Sequence, residues 1–317
     1  GVVAIHTLLG DSKFRAIMTT AQTQEGFERG VSAAELNRKI LALRAALRNP
    51  GEDPRPLAGE LYDIVVKPLE GALTAAQAQT VLWSLDSGLR YLPVAALYDG
   101  DRYVAEKYNV VLFNGSSRSR LNDAPAAQWR ALGYGVTKPH PGFAGLDYAG
   151  VEAEAVADEQ KGVYPGRLRL DEAFTEASFR EDLRNRYPVV HVASHFALKP
   201  GSEQESFLLL GDGGRFTLGS MRLAPQLFGG VDLLALSACG GGGGGVGADG
   251  REVDGLGRIA EAKGAKAVLA TLWPVADEST ALFMQEFYRV RQAEGLTKAE
   301  ALRRTQLGFI NGTLGSR

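Results

Sequence analysis

At 317 residues, 45% hydrophobic and 23% charged, the chain has the composition of a folded protein of about two lobes, which excludes wholesale disorder. Its 35 basic and 37 acidic residues leave a net charge of −2, too balanced for a protein that holds nucleic acid by bulk positive charge. No apolar run approaches the ~20 residues of a membrane-spanning helix, so no membrane partner is expected. The start Gly1-Val2-Val3-Ala4-Ile5-His6 has neither the basic segment nor the cleavage site of a signal peptide. The single cysteine, Cys239, rules out an internal disulfide and a multi-cysteine zinc site, and points to a reducing compartment, the cytoplasm. The missing initiator Met suggests a piece of a longer protein.

The opening predicts a β-hairpin. Val2–Leu9 and Phe14–Thr20 are rich in β-formers, with turn chemistry at Gly10-Asp11-Ser12 between them. Ser32-Ala33-Ala34-Glu35 has the pattern of a capping box, and Leu36, Ile40, Leu43 and Leu47 follow at helical spacing until Pro50-Gly51. A shorter helix is expected over Leu57–Val66, ended by Pro68. Thr80–Leu85, Arg90–Leu97 and Asn109–Phe113 read as strands, with a turn at Tyr98–Asp101. The stretch Asn122–Ala127 lacks apolar periodicity and suggests a boundary between residues 1–125 and residues 126–317.

Beyond it, strands and helices alternate. Strands are expected at Leu132–Val136, Arg167–Leu170, Pro188–Ser194, Val231–Ser237 and Ala267–Trp273. Helices are expected at Val151–Gln160, Glu172–Arg186, Gly255–Lys263 and Asp277–Ala293, and in a last segment opened by the capping box Thr297–Glu300 and ending near Ile310. Phe207–Leu210 and Arg215–Leu218 flank a Gly-rich turn and read as a hairpin. Apolar strands alternating with helices imply an α/β fold, a mostly parallel sheet covered by helices on both faces.

In such sheets functional groups gather beyond the carboxyl ends of the strands. Here one apolar strand delivers His195 and another delivers Cys239. A thiolate beside an imidazole is the activated nucleophile of acyl transfer, and the imidazole can then protonate the leaving amine. Ser237-Ala238-Cys239-Gly240-Gly241, with His195 44 residues upstream, also fits four of the five positions of the caspase signature, Ser237 standing where that has Gln. The small residues around the sulfur leave room for an oxyanion hole, expected from the backbone amides of Cys239 and Phe196.

Val190–Phe196, Phe207–Asp212, Leu234–Cys239 and Ala267–Ser279 together resemble the CHAT family, and Leu82–Asp86 and Leu89–Leu97 extend the likeness into the first half. The resemblance implies a caspase-like domain of the kind found after tetratricopeptide repeats in bacterial proteins. It implies a cysteine endopeptidase acting on a protein or peptide, with His195 as general base and Cys239 as nucleophile. It also implies that the first part is a supporting, non-catalytic subdomain of caspase-like type. An upstream sensor region, such as a tetratricopeptide array, or an activating partner would then control it. No metal or organic cofactor is needed for this chemistry. Three departures stand out: Phe196 replaces the Gly common after the histidine, Gly240–Gly245 is a six-glycine run, and the chain stops at Arg317 where the family continues. The glycine run reads as a loop of large ordering entropy, an engineered replacement or a segment ordered on binding.

Around this pair, Ser237 is expected to line the pocket for the residue before the scissile bond, and Asp147 or Asp277 to select Arg or Lys there. Trp273 would flank the cleft or sit in the core, and Asp277 could equally be a helix N-cap. His191, four residues before His195, reads as a satisfied, hydrogen-bonded core or near-site histidine, and His6 and His140 as packing or surface residues. Two rival readings remain open: a catalytically silent CHAT-like interaction scaffold, and a nucleotide binder built on the glycine run, which lacks the Lys of a phosphate loop.

Overall fold

The computed structural model of the chain describes residues 1–197, 199, 202–238, 255–271 and 275–315. Two compact units form. One comprises Gly1–Asn114 with Leu296–Thr313, and the other the described residues of 115–243 and 254–295.

The first unit opens with the expected hairpin, β1 (Val2–Leu9) and β2 (Lys13–Thr19), and adds β3 (Gln24–Gly30) on its edge. β3 was not legible, because Gln24-Glu25-Gly26-Phe27-Glu28-Arg29-Gly30 is polar throughout but for Phe27. Ser32 caps helix α1 (Ala33–Leu47), its hydroxyl accepting the Glu35 N–H at 3.1 Å. Helix α2 (Arg55–Val65) runs on through a 3-10 turn at Lys67–Leu69 into α3 (Glu70–Ala75). Pro68 therefore opens a turn rather than stopping the chain, since a proline in a first turn gives up only an N–H that would be unpaired there. Strand β4 (Thr80–Ser84) follows, then helix α4 (Val104–Lys107) and strand β5 (Asn109–Leu112). The sheet order is β3-β2-β1-β4-β5, antiparallel across the hairpin and parallel from β1 to β5. Val3, Ile5, Phe14, Met18, Val81 and Trp83 form its covered face, beneath Leu36, Ile40 and Leu43 of α1 and Leu61 and Val65 of α2. The expected strand Arg90–Leu97 is instead two 3-10 turns, Ser87–Tyr91 and Val94–Ala96. Pro93 breaks any ladder there, and the buried pairs Leu89/Leu92 and Val94/Leu97 are each three residues apart, which matches a 3-10 turn.

The second unit is a wound parallel sheet. Its elements are β6 (Ala131–Gly135), α5 (Ala149–Ala157), β7 (Gly166–Leu170), α6 (Glu176–Leu183) and β8 (Val189–Ser194). The small strands β9 (Phe196–Ala197), β10 (Phe207–Leu209) and β11 (Arg215–Thr217) follow, with α7 (Leu218–Leu223). Then come β12 (Leu233–Ala238), α8 (Gly255–Ala262), β13 (Val268–Ala270) and α9 (Asp277–Glu294). The main sheet has the order β13-β12-β8-β6-β7, all parallel, and β9, β10 and β11 form a separate antiparallel sheet. Helix α6 starts later than expected because Thr175 caps it, its hydroxyl taking the Ser178 N–H.

The two faces of this sheet differ. One carries Leu132, Tyr134, Val190, Val192, Leu234 and Leu236, packed with Phe179 and Leu183 of α6 and with Leu256 and Ile259 of α8. The other presents Gly133, His191 and Ala193 to α5, whose inner side is alanine-rich. At Gly133 a Cβ would come 2.9 Å from both the Ala153 carbonyl and the Ala157 methyl, so this helix lies pressed against bare backbone.

The last helix, α10 (Lys298–Ile310), has the expected capping box, Thr297 with Glu300, and packs in the first unit. The Arg303 guanidinium donates to the carbonyls of Ala105 and Glu106 there. Packing thus divides the chain after Asn114 and returns this helix to the first unit, whereas the sequence suggested a single cut at 125/126.

Candidate active site

Strand β8 ends at Ser194, and His195 follows at the carboxyl edge of the parallel sheet. Its backbone is held on both sides: the Ser194 hydroxyl, fully buried, donates to the Leu209 carbonyl at 2.6 Å, and the Leu209 N–H donates to the His195 carbonyl at 2.9 Å. The small sheet therefore fixes where the histidine leaves the large one. The ring is 9% exposed and rests at 5.2 Å from the ring of Phe143. Its Nε2 lies 2.8 Å from the carbonyl oxygen of Ala144, in the loop between β6 and α5. A carbonyl only accepts, so Nε2 carries a proton, which leaves Nδ1 as the ring nitrogen that can accept one.

β12 lies beside β8 in register, with Ser237 opposite Ala193 and Ala238 opposite Ser194. Ser237 is 8% exposed at that edge. Phe196 is half-buried and begins β9, opposite Leu208. Cys239, the Gly240–Gly245 run and Trp273 lie outside the described residues.

The two acids singled out from the sequence come together. Asp277 is the first residue of α9 rather than its cap, which is Ala276, and its Oδ2 accepts the Tyr148 N–H at 2.8 Å. That bond ties α9 to the loop carrying Asp147, which is exposed. Burial pushes the Asp277 carboxyl above the usual carboxylate range. The charges of Glu152 and Asp147 push the same way, against the pull of the Tyr148 N–H and the His195 imidazole. Asp277, Asp147 and His195 thus share one electrostatic environment.

Beneath it, His191 is fully buried between α5 and α9. Its Nε2 is 2.9 Å from Glu152 Oε1, at an angle outside hydrogen-bond alignment, and its Nδ1 is 3.4 Å from the Tyr288 hydroxyl. The burial agrees with a core histidine, but among the described residues Nε2 has no aligned hydrogen-bond partner, so the ring is not satisfied as expected. Glu152, 1% exposed, was overlooked in the sequence, although Ala149, Ala153 and Val156 place position 152 on the buried stripe of its helix. The Ala144 carbonyl left no signal at all, since any residue type supplies one. His140 and His6 do as expected: His140 bridges to Phe143 in its loop, and His6 meets the Phe113 ring at 5.1 Å. Among the described residues no group of His, Cys, Asp and Glu could hold a metal ion, and no helix is long and apolar enough to cross a membrane.

A parallel α/β sheet with an oriented histidine at its carboxyl edge defines the class of site. The chain belongs to the CHAT domain family, whose model matches residues 55–315. No curated protein matches the chain.

Proposed function

We propose that this CHAT domain is a caspase-like cysteine endopeptidase with Cys239 as nucleophile and His195 as general base and acid. The observation that carries this reading is the pairing of Ala238 with Ser194, the residues that immediately precede Cys239 and His195 in sequence. The Ala144 carbonyl on Nε2 supports it too, because it leaves Nδ1 as the basic atom.

The thiol proton passes to Nδ1, and the thiolate attacks the scissile carbonyl carbon. The tetrahedral oxyanion takes hydrogen bonds from the backbone amides of Cys239 and Phe196. As the C–N bond breaks, the imidazolium returns its proton to the leaving amine, and a thioester on Cys239 remains. Water, deprotonated by the same imidazole, then hydrolyses that thioester and frees the thiol. No cofactor enters these steps. Ser237 and Trp273 belong to the pocket for the residue before the scissile bond, and the carboxylates of Asp277 and Asp147 select Arg or Lys there. The first unit supports this site without taking part in the chemistry. In the cytoplasm of a bacterium, an upstream sensor such as a tetratricopeptide array, or an activating partner, would switch it on.

An irreversible cysteine-directed peptide probe tests the reading. Labelling that is faster than that of free cysteine, and is lost in both Cys239→Ala and His195→Ala, is the expected result. A thiol no more reactive than free cysteine sinks the peptidase and favours the interaction scaffold.

A further inference from the structure

Asp171 follows β7 and holds a backbone φ of +47°, a left-handed conformation that L side chains other than Asn and Asp seldom take. The conformation aims its half-buried carboxylate at the start of the loop that follows β6. Oδ1 accepts the Thr137 N–H at 2.7 Å and the Lys138 N–H at 3.2 Å, and Oδ2 accepts the Thr137 hydroxyl at 2.7 Å. Burial raises this carboxyl, but these bonds and the Lys138 charge outweigh it and hold the group below the usual range, as a carboxylate.

Thr137 is one end of a loop whose other end reaches the histidine. The Thr137 carbonyl lies so close to Gly145 that a Cβ there would come within 2.6 Å of it. The loop closes on itself between these points through paired hydrogen bonds of His140 and Phe143, at 3.0 and 2.8 Å. Gly145 follows Ala144, whose carbonyl takes the His195 Nε2 proton. A chain of direct contacts thus runs from Asp171 through Thr137 and Gly145 to the Ala144 carbonyl.

We infer that Asp171 is a positioning residue for His195: its carboxylate anchors the loop that aims the Ala144 carbonyl at Nε2, and so fixes the ring's orientation and its Nε2-protonated tautomer. Its catalytic consequence rests on the proposed peptidase reading, whereas its structural consequence does not.

Long-range proton–nitrogen NMR of the His195 ring in the full chain separates the two. Asp171→Asn tolerates the left-handed backbone but cannot accept all three bonds. In it the hydrogen-bonded Nε2 proton signal is expected to weaken and the Nδ1-protonated tautomer to appear. Thr137→Ser, which keeps the hydroxyl, should match the unaltered chain. Peptide cleavage by Asp171→Asn should lose about 10–100-fold in kcat with KM nearly unchanged. A folded Asp171→Asn protein with an unchanged His195 signal overturns the inference. Should that variant fail to fold, Thr137→Val, which removes only the Oδ2 bond, decides in the same way: a weakened Nε2 proton signal supports the role and an unchanged one overturns it. Should the unaltered chain cleave nothing, the peptidase reading fails, while the His195 signal still decides the role of Asp171.

Discussion

His195 Nε2 donates to the carbonyl oxygen of Ala144 across 2.8 Å, although 51 residues separate them in sequence. In the proposed peptidase this bond gives the two ring nitrogens different duties, Nε2 to hold the ring and Nδ1 to move a proton. Removing the ring removes the proton carrier, so His195→Ala should lower peptide cleavage by about 10²–10⁴-fold. His195→Gln should lower it comparably, since an amide can keep the bond to Ala144 yet offers no base. Steady-state kinetics on a fluorogenic peptide measure both. A Gln variant with near-normal kcat would show that the ring has no proton-transfer role.

Asp277 carries a charge that the fold disfavours. Its folded pKa is raised, so between the ordinary carboxylate value and the raised one the native state binds more protons than the unfolded state. Stability therefore falls as pH rises through that window. Asp277→Asn keeps an oxygen to accept the Tyr148 N–H and removes the charge. It should melt at an equal or higher temperature than the unaltered chain at neutral pH, with the gain vanishing below the ordinary carboxylate value. The same variant should cleave after Arg or Lys about 10–100-fold less well, in proportion to the lost ion pair. Melting curves across pH and a peptide library read the two effects apart.

Asp182 has the opposite sign. It is fully buried beneath Arg167 and Arg169, at 2.5 Å from each, and accepts the Tyr134 hydroxyl at 3.1 Å. Burial raises its carboxyl, but the hydrogen bonds of Arg169, Arg167 and Tyr134 outweigh this and leave it depressed. A depressed folded pKa contributes stability that is present above the unfolded value and is lost as pH falls through and below it. Asp182→Ala strands the Tyr134 hydroxyl and unpairs both guanidinium groups, and should cost about 3 kcal/mol at pH 7 and less in acid. Denaturant titration at two pH values checks this, and an equal loss at both would contradict it.

Gly133→Ala tests the close seat of α5. The added methyl meets the Ala153 carbonyl and the Ala157 methyl at 2.9 Å, and neither can rotate away. The expected cost is about 1–3 kcal/mol of overpacking, seen as a lower midpoint in denaturant with an unchanged slope. Unaltered stability would mean that the helix can step back freely.

The repeating patterns of the chain were legible because burial imprints a period. Alternation in Val2–Leu9, the spacing of Leu36, Ile40 and Leu43, and the continuous apolar runs before His195 and Cys239 each report one covered face or two. The caps Ser32, Thr175 and Thr297 each pair with a backbone N–H three residues on, a local event. Ser32 and Thr297 stand at the edge of a clear helical pattern, whereas Thr175 lies inside a longer one that hides its cap.

Sequence alone thus determined the α/β class, the order of most elements and the CHAT resemblance, and it raised the expectation of a site at His195. Tertiary structure decided which strands neighbour which, and so set Ser194 beside Ala238. It also decided that a backbone carbonyl orients the imidazole, that Asp277 shares its surroundings with Asp147 and Glu152, and that the final helix packs in the first unit. The reason is physical. A period is written in neighbouring residues, whereas a carbonyl has the same chemistry at every position, and a carboxyl takes its charge state from groups brought near it only by folding.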